Sequence, residues 1–410
     1  MENEYFVMLG GNALGKGAID KLHEFGYKVI VVDWNEHPGL TGDLHIRLDV
    51  KDSNTVVKAL ESTGCTIKGA MSFIDLAAPT VNAVNKWCGN VYMPEAFNTV
   101  LSKEQMRKCW QVAGIFNRLS KTDDMFTLDE VYEWSQKMKL ICKPNVAASS
   151  RGITILSVGQ TREAIIAAME RAKSYSFDKK CLVEEFVEGR EFTVDMLGDS
   201  YGNVSCYGIS VKYHSPYAIN NRTATKIHWN SNVYPDEIYR KIAERGKECY
   251  RAIGLNSSFG HLEMIMKDDG TLTPVEIGAR SSGFISSHLV TAAAECDYLG
   301  DYVKMLHGGV IDNADHICSR TSAMWYGYDM PTNCKYIKDG YLTDYLPDGI
   351  ETMYSDHHGL VVGRQYGPVI DDNTRDNTGY EMLKGPKELL TLTNVLEAEY
   401  KFIANCLNLD

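Results

Sequence analysis

The segment from His261 to Arg280 has two runs of alternating apolar and polar residues, one on each side of Asp269-Gly270. Asp-Gly between two such runs is a strong local signal for a β-hairpin, because these residues tolerate the positive φ angles of a two-residue type I′ turn. Counting outward from that turn, Glu263 faces Glu276. We therefore expect an antiparallel sheet in which two carboxylates lie directly opposite each other.

Directly opposed like charges destabilise a sheet unless a group of opposite charge lies between them. A divalent cation would meet this need, and two carboxylates with few other protein ligands suit Mg²⁺, which keeps waters and bridges substrate phosphates. Arg280, four residues after Glu276, adds an anion-binding group beside such a metal. The alternative is a pair of solvated surface glutamates on a hairpin of another register; Arg280 favours the metal site.

The chain opens with a strand, a glycine-rich turn, a helix and a second strand, between Tyr5 and Asp33. This βαβ order predicts a parallel sheet. Asp33 stands where a dinucleotide-binding unit would hold a ribose, but Asn12 occupies the position of that motif's middle glycine, where a side chain would obstruct a pyrophosphate. An NAD-dependent oxidoreductase is therefore disfavoured.

Composition narrows the class of protein further. With 410 residues the chain is long enough for two to four domains, and 42 Lys and Arg against 54 Asp and Glu give a net charge of -12, which disfavours nucleic acid and anionic membranes as partners. No run approaches the length of a membrane span, the first residues are acidic where a signal peptide would be basic, and eleven cysteines are scattered without a CxxC pair. We expect a cytoplasmic protein with reduced thiols.

Four motifs follow one another along the chain. They are Lys103 in a helix that Ser102 can cap, Lys143-Pro144 at the end of an apolar strand, the acidic run from Leu182 to Glu191, and the two-glutamate hairpin that ends in Glu276-Ile277-Gly278-Ala279-Arg280. In this order and spacing they resemble the ATP-grasp superfamily, most closely its carboxylate-amine ligases, and among these the L-amino acid ligases that make dipeptides. The resemblance covers about residues 1–310.

The resemblance implies an α/β fold of the ATP-grasp type. It places an N-terminal parallel-sheet βαβ domain at residues 1–97 and an ATP-grasp domain at 98–310, with a small lid subdomain at about 117–190 and a catalytic sheet at about 191–310. A C-terminal α+β segment, residues 311–410, packs on this body. In that segment the sequence predicts short strands at 360–362 and 368–370 and a helix containing 395–405.

The resemblance also implies ATP and Mg²⁺ as cofactors, with Mn²⁺ as an alternative metal. Lys103 and Lys143 correspond to the phosphate-binding bases, Glu184, Glu185 and Val187 to the adenine hinge, and Glu191 to the ribose-binding carboxylate. The hinge is expected to read the adenine edge through the backbone C=O and N–H groups of Glu185 and Val187. Glu263 and Glu276 are the expected metal ligands, and Arg280 resembles the residue that steadies an acyl phosphate.

Other positions are less determined. Residues 145–152 correspond to the phosphate-covering loop of the family but contain one glycine, so the hydroxyls of Ser149 and Ser150 are expected to replace backbone contacts. Lys212, Arg222 and Lys226 lie where the family often has another phosphate-binding base; the spacing does not choose among them, and Lys226 is preferred as a catalytic residue. Phe284 and His261 are expected to contact the substrate.

One departure from the family pattern is Gly278, which stands where many ATP-grasp enzymes have a metal-binding Asn. The amino acid ligases also tend to lack that Asn. The expected activity is therefore an ADP-forming ligase that makes an amide or peptide bond through an acyl phosphate. Its expected substrates are small molecules, namely L-amino acids, and a homodimer is the oligomeric state considered. The alternatives are a ligase for a non-amino-acid carboxylate and a regulatory protein that binds ATP without turnover.

Overall fold

The computed structural model describes residues 4–12, 15–91, 93–147, 151–218, 222–283, 286–312 and 314–409. The first part of the chain forms a four-stranded sheet in which all neighbouring strands are parallel, in the order β3-β2-β1-β4. Its elements are β1 (Glu4–Leu9), α1 (Lys16–Glu24), β2 (Lys28–Asp33), β3 (Leu44–Arg47), α2 (Ser53–Ser62), β4 (Thr66–Ser72), a 3-10 turn (Asp75–Ala77), α3 (Ala78–Trp87) and α4 (Pro94–Thr99). The predicted βαβ unit is confirmed.

Asp33 holds the backbone at the end of the first two strands of the βαβ unit. Its Oδ2 accepts a hydrogen bond of 2.7 Å from the backbone N–H of Gly11, and its Oδ1 accepts one of 2.8 Å from the N–H of Asn35. The carboxylate thus fixes the turn that follows β1.

The second part lies in the range of the expected lid subdomain, and we call it the lid for that reason. It has a four-stranded antiparallel sheet in the order β5-β8-β6-β7. Its elements follow α5 (Lys103–Val112) and are β5 (Ser120–Thr122), α6 (Leu128–Ser135), β6 (Leu140–Pro144), β7 (Thr154–Leu156), α7 (Arg162–Tyr175) and β8 (Cys181–Glu185). Ser102 caps α5 by accepting a hydrogen bond from the N–H of Gln105, as its position predicts.

The third part is an eight-stranded antiparallel sheet in the order β13-β12-β9-β10-β11-β14-β18-β16. Its last three strands in this order come from the C-terminal segment and are β14 (Thr321–Gly327), β18 (Tyr380–Pro386) and β16 (Glu351–Asp356). Its first five strands in the chain and the helices that follow are β9 (Arg190–Gly198), β10 (Val204–His214), β11 (Ala224–Trp229), α8 (Asp236–Ile253), β12 (Ser258–Met266), β13 (Leu272–Gly278), α9 (Ser286–Ala294) and α10 (Tyr298–Leu306). The buried face of α8, which includes Tyr239, Ile242 and Tyr250, packs on this sheet.

The C-terminal segment extends the same sheet. It contributes β14 (Thr321–Gly327), β16 (Glu351–Asp356) and β18 (Tyr380–Pro386), and it adds a small sheet of β15 (Cys334–Tyr336), β17 (Gln365–Tyr366) and β19 (Leu407–Leu409) beside α11 (Asp372–Asp376), α12 (Leu392–Cys406) and a 3-10 turn (Leu342–Tyr345). The predicted terminal helix is confirmed as α12. Because β14 pairs with β11, the boundary expected near residue 310 falls within a continuous sheet.

The strands predicted at 360–362 and 368–370 are wrong. In the first of these segments the hydroxyl of Tyr366 donates to the carbonyl oxygen of Gly359 and accepts from the N–H of Val361. In the second, the N–H groups of Val369 and Ile370 donate to side-chain oxygens of Asp329 and Thr374. Side chains therefore take the place of a neighbouring strand in both segments. In the part of the chain that the structure describes, no helix is long and apolar enough to cross a membrane.

The β12–β13 hairpin brings Glu263 opposite Glu276, as predicted. The loop length and the regularity of the two strands, however, differ from the prediction. The loop has three residues, since the N–H of Lys267 bonds to the carbonyl of Thr271. Past the loop the register is one residue away from the expected one, and a β-bulge between Glu263 and Met264 restores it.

Candidate active site

Two adjoining clefts open between the parts of the fold. The large cleft, between the lid sheet and the eight-stranded sheet, has a volume of about 900 Å³. Six cationic side chains face it against three carboxylates, so it suits a strongly anionic ligand. The cations are Lys103, Arg118, Lys143, Arg151, Lys212 and Arg222, and the carboxylates are Glu191, Glu263 and Glu276.

The small cleft, of about 400 Å³, lies beside it and includes residues of the N-terminal domain, among them Asp75 and Leu76. Lys103, Ala147 and Glu276 line both clefts. A ligand in one cleft therefore meets a ligand in the other at Glu276.

The facing glutamates are each held by a different lysine. The Nζ atom of Lys103 lies 2.9 Å from Glu276 Oε2, and Nζ of Lys212 lies 2.6 Å from Glu263 Oε1. Burial disfavours the ionised form of Glu276, but the charges of Lys103, Lys143 and Lys212 outweigh it and lower the pKa of this carboxyl to about 2. Glu276 is thus ionised at the boundary between the clefts, and Glu263 faces the large cleft beside it.

Lys212 also reaches Glu191, at 2.7 Å from its Oε1. The other oxygen of Glu191 lies 3.3 Å from Nε2 of His214 and 3.4 Å from Nε of Arg222. Burial opposes ionisation, yet these neighbours hold the pKa of Glu191 well below its usual range. Although burial lowers the pKa of Lys212, Glu191 and Glu263 raise it above its usual value, so Lys212 is a cation at neutral pH.

A second charge cluster lies behind the large cleft and consists of Glu184, Arg107, Arg118 and Lys143. The carboxylate of Glu184 accepts from Nε of Arg107 at 2.6 Å and from Nη2 at 3.2 Å, and it also contacts Nζ of Lys143. Burial lowers the pKa of Lys143 to about 8, although the charge of Glu184 acts in the opposite direction. We refer to these four residues as the Glu184 cluster.

In the small cleft, the guanidinium of Arg280 forms a two-point salt bridge with Asp75. Its Nε and Nη2 atoms each donate a 2.7 Å hydrogen bond to one carboxylate oxygen. Gly278 makes room for this contact, because a Cβ atom at position 278 would lie 2.5 Å from Oδ1 of Asp75. The metal-binding Asn of many ATP-grasp enzymes would not fit here beside Asp75.

His261 also lines the small cleft. Its Nδ1 lies 2.9 Å from Oδ1 of the fully buried Asp195, whose Oδ2 accepts a hydrogen bond of 3.2 Å from Nε1 of Trp229. This network spans β12, β9 and β11 and fixes the orientation of the imidazole ring.

Comparison with known families identifies the domain that carries the large cleft. Residues 136–288 match the family model described as "ATP-grasp domain". The chain carries an ATP-grasp domain. This finding confirms the predicted fold, and the matched range covers most of the lid together with the sheet up to α9.

Two curated relatives are ligases. The chain is 23% identical to a D-alanine--D-alanine ligase of Pseudoalteromonas translucida (strain TAC 125) over 301 residues, which are 70% of this chain and 90% of the relative. It is 25% identical to an alanine--anticapsin ligase of Bacillus subtilis over 206 residues, 46% of this chain and 43% of the relative. The chain thus spans less than half the length of the second relative.

Solved structures agree on the ATP-grasp fold. The L-amino acid ligase from Bacillus licheniformis aligns with a TM-score of 0.75 at 16% identity, over 100% of this chain and 99% of that one. The biotin carboxylase domain of Hydrogenobacter thermophilus 2-oxoglutarate carboxylase, solved with MgADP, aligns with a TM-score of 0.67 at 14% identity, over 93% and 86%. Together with the ligase relatives, these findings confirm the resemblance to ATP-grasp ligases and the expectation of an enzyme.

Within the ATP-grasp domain, the preference for Lys226 is not supported by the geometry. Lys226 pairs with Tyr213 across the β10–β11 ladder, whereas Lys212 pairs with Ile227. Because side chains alternate along a strand, Lys226 points to the face opposite to Lys212, where its Nζ lies 2.9 Å from Oε1 of Glu399. Lys212 and Arg222 line the large cleft instead.

The expected adenine hinge, Glu184 to Val187, differs from the prediction in the backbone contacts of Glu185 and in the position of the Glu184 side chain. Val187 lines the large cleft. The N–H of Glu185 donates to the carbonyl of Leu119, and its C=O accepts a 2.6 Å hydrogen bond from Nη1 of Arg118, which leaves one lone pair of that carbonyl for a base. The side chain of Glu184 lies in the Glu184 cluster rather than in the cleft.

Ser149, Ser150 and Phe284 lie outside the described residues. Most of the other expected residues line one cleft or both. The large cleft has Lys103, Lys143, Val187, Glu191, Glu263 and Glu276, and the small cleft has Lys103, His261, Glu276 and Arg280. Glu184, Glu185 and Lys226 line neither cleft.

Sequence reasoning missed Asp75, Arg107, Arg118, Arg151 and Asp195. The spacing of Arg107, four residues after Lys103, places both on one face of α5 and could have identified it. Asp195, four residues after Glu191, shares a face of β9 with it by the two-residue period. Asp75 and Arg118 have no local pattern that distinguishes them from solvated charges.

Proposed function

We propose that the chain is an ADP-forming carboxylate-amine ligase that joins two L-amino acids. The observation that carries the proposal is the position of Glu276 and Lys103 on the shared wall of the two clefts. A phosphoryl group held at that wall faces a nucleotide on one side and an acyl substrate on the other.

The large cleft suits ATP. Its lysines and arginines match the charge of a triphosphate, and apolar side chains, among them Ile141, Phe186 and Ile265, line it where a purine would pack. Glu191, held ionised by its three neighbours, is suited to a ribose hydroxyl. Lys103, Lys143 and Lys212 are the bases proposed to contact phosphates.

Mg²⁺ fits the facing glutamates. Within the described ranges, no group of three or more His, Cys, Asp or Glu side chains is arranged to hold a metal ion. Glu263 and Glu276 offer carboxylate oxygens, and nucleotide phosphates and waters would complete the shell of oxygen ligands that Mg²⁺ prefers. The metal, when bound, neutralises charge on the transferring phosphoryl group; Mn²⁺ would serve through the same oxygens.

In the proposed reaction, a carboxylate oxygen of one substrate forms a bond to the γ-phosphorus of ATP, and the bond from that phosphorus to the bridging oxygen breaks to release ADP. The amine nitrogen of the second substrate then attacks the acyl carbon, phosphate leaves, and the amine loses a proton. Arg280, steadied by Asp75, is placed to stabilise the negative oxygens of the acyl phosphate. Both substrates are small molecules.

The test is to measure ADP and phosphate release with ATP, Mg²⁺ and a matrix of paired L-amino acids, followed by mass spectrometry. Release that depends on a pair, with a product at the summed mass less one water, would support the proposal. ATP binding without release across the matrix would refute joining of amino acids and favour another carboxylate or a regulatory role. Dialysis against a chelator should abolish release, and added Mg²⁺ should restore it.

A further inference from the structure

The side chain of Glu184 is fully buried, and its two oxygens are occupied. Nε of Arg107 donates to Oε1, while Nη2 of Arg107 and Nζ of Lys143 reach Oε2. Nη2 of Arg118 lies 3.8 Å from Oε2. Unlike Lys143 and Arg118, Glu184 is not among the residues that line the large cleft. Its carboxylate therefore lies one layer behind the nucleotide site.

The Glu184 cluster connects the elements that surround the large cleft. Arg107 projects from α5, Lys143 from β6 and Glu184 from β8, so one carboxylate joins three elements around the cleft. The ring of Phe116 lies 4.8 Å from the guanidinium carbons of both Arg107 and Arg118, which fills the space between two like charges. Three cations around one anion leave two buried positive charges in excess.

We infer that Glu184 is a positioning residue that keeps Lys143 charged and aims Lys143 and Arg118 at the nucleotide, rather than a residue that reads the base. The inference rests on the proposed function for the identity of the ligand. It differs from the adenine-hinge role expected for Glu184 from the sequence.

The charge balance around Lys143 makes this role measurable. The groups that act on its ammonium are Glu184 from β8, Arg107 from α5, Arg118 from the segment before β5 and Glu276 from β13. Burial and the two arginines lower the pKa of Lys143, and Glu184 raises it, with the result at about 8. Without the negative charge of Glu184, the ammonium would lose its proton at a lower pH.

The experiment is titration of the full chain with a non-hydrolysable ATP analogue and Mg²⁺ by calorimetry, between pH 6 and 9. Wild-type affinity should fall as pH rises through about 8, since only the ammonium form of Lys143 attracts phosphate. In Glu184→Gln we expect this midpoint to move down by about one pH unit or more and affinity at pH 7.5 to fall about tenfold.

Two further variants test whether the effect is specific to Glu184 and Lys143. Glu381→Gln removes another fully buried carboxylate, which bonds to Tyr328 and His357 in the C-terminal segment. This change should leave the pH dependence of the affinity for the ATP analogue unchanged. In a Lys143→Met background, Glu184→Gln should produce a smaller loss of affinity than it does alone, because only the part of its effect that acts through Arg118 remains.

An unchanged midpoint in folded Glu184→Gln, or an equal loss of affinity in the Lys143→Met background, would overturn the inference. If Glu184→Gln does not fold, Glu184→Asp replaces it: this variant keeps the charge but withdraws it, so a smaller downward shift supports the inference and no shift overturns it. Failure of the wild-type protein to bind the analogue would instead overturn the proposed function, and the inference with it.

Discussion

Arg280 and Asp75 lie 205 positions apart in the sequence and meet in a two-point salt bridge with both contacts at 2.7 Å. Arg280 follows the strand that carries Glu276, whereas Asp75 follows β4 of the N-terminal sheet. This pair therefore joins the N-terminal parallel sheet to the eight-stranded sheet at the small cleft. Burial disfavours the charged form of Arg280, but Asp75 raises its pKa above the usual value.

Asp75→Asn should impair the reaction without weakening ATP binding. The change keeps the shape of the side chain but removes the charge that orients Arg280, and one hydrogen bond to a charged group is worth about 1.5–3 kcal/mol. We expect kcat/KM to fall about 10- to 100-fold. Steady-state kinetics and ATP calorimetry measure the two effects; Asp20→Asn, which breaks the exposed Lys16–Asp20 pair, is the control. Equal losses of both quantities would contradict this assignment.

Gly278→Ala should mimic the loss of Asp75. The added Cβ atom would lie 2.5 Å from Oδ1 of Asp75, so the carboxylate must move away from Arg280. We expect a fall in kcat/KM similar to that of Asp75→Asn, and the double variant should be no worse than either single variant. Additive losses in the double variant would show that Gly278 acts in another way.

Glu276→Gln should abolish ADP formation while the fold is retained. The change removes the negative charge shared by the two clefts and leaves Lys103 without its ion-pair partner. We expect at least a hundredfold fall in kcat, measured as ADP release, with an unchanged far-ultraviolet circular dichroism spectrum. Glu248→Gln, at an exposed position on α8, is the control for loss of a carboxylate. Retained turnover would refute the metal assignment.

Lys212→Met and Lys226→Met should have opposite phenotypes. Lys212 lies in the large cleft, so its loss should weaken ATP binding about tenfold or more. Lys226 instead pairs with Glu399 of α12, so its loss should lower the free energy of unfolding by about 3 kcal/mol and leave ATP affinity within about twofold. Calorimetry and urea unfolding separate the two effects, and the reverse pattern would restore the original preference for Lys226.

The stability of the fold should decrease as pH falls below about 6.5. Burial lowers the pKa of His228 to about 3, so the unfolded chain takes up a proton at a pH where the folded chain does not. The free energy of unfolding then falls by up to about 1.4 kcal/mol per pH unit. Urea unfolding between pH 6.5 and 5, above the range where carboxyl groups titrate, should show a smaller slope for His228→Met than for wild type. Equal slopes would contradict this account.

The sequence predicted the elements well where a local rule governs them. The βαβ opening, the Ser102 cap and the facing glutamates follow from periodicity and turn chemistry. The hairpin also shows the limit of such rules: the prediction assumed a two-residue loop and no bulge, and two deviations of one residue cancel at Glu263.

Long-range contacts account for what could not be predicted. Lys212 and Lys226 are equivalent in spacing alone, and only the strand register assigns them to opposite faces. Asp75 and Arg118 resemble surface charges until the domains pack. Glu184 stands in an acidic run typical of a solvated strand end, yet it is buried because three cations from other elements surround it.

Lys103 and Arg107 project from α5 one helical turn apart, one toward Glu276 and the other toward Glu184. Because a helical turn is stiff, the proposed metal site at Glu276 and the Glu184 cluster cannot shift independently of each other. Trp110, buried on the same helix with its Nε1 donating to the carbonyl of Cys249, anchors that turn to α8. Helix α5 thus sets the distance between the two ends of the proposed nucleotide site.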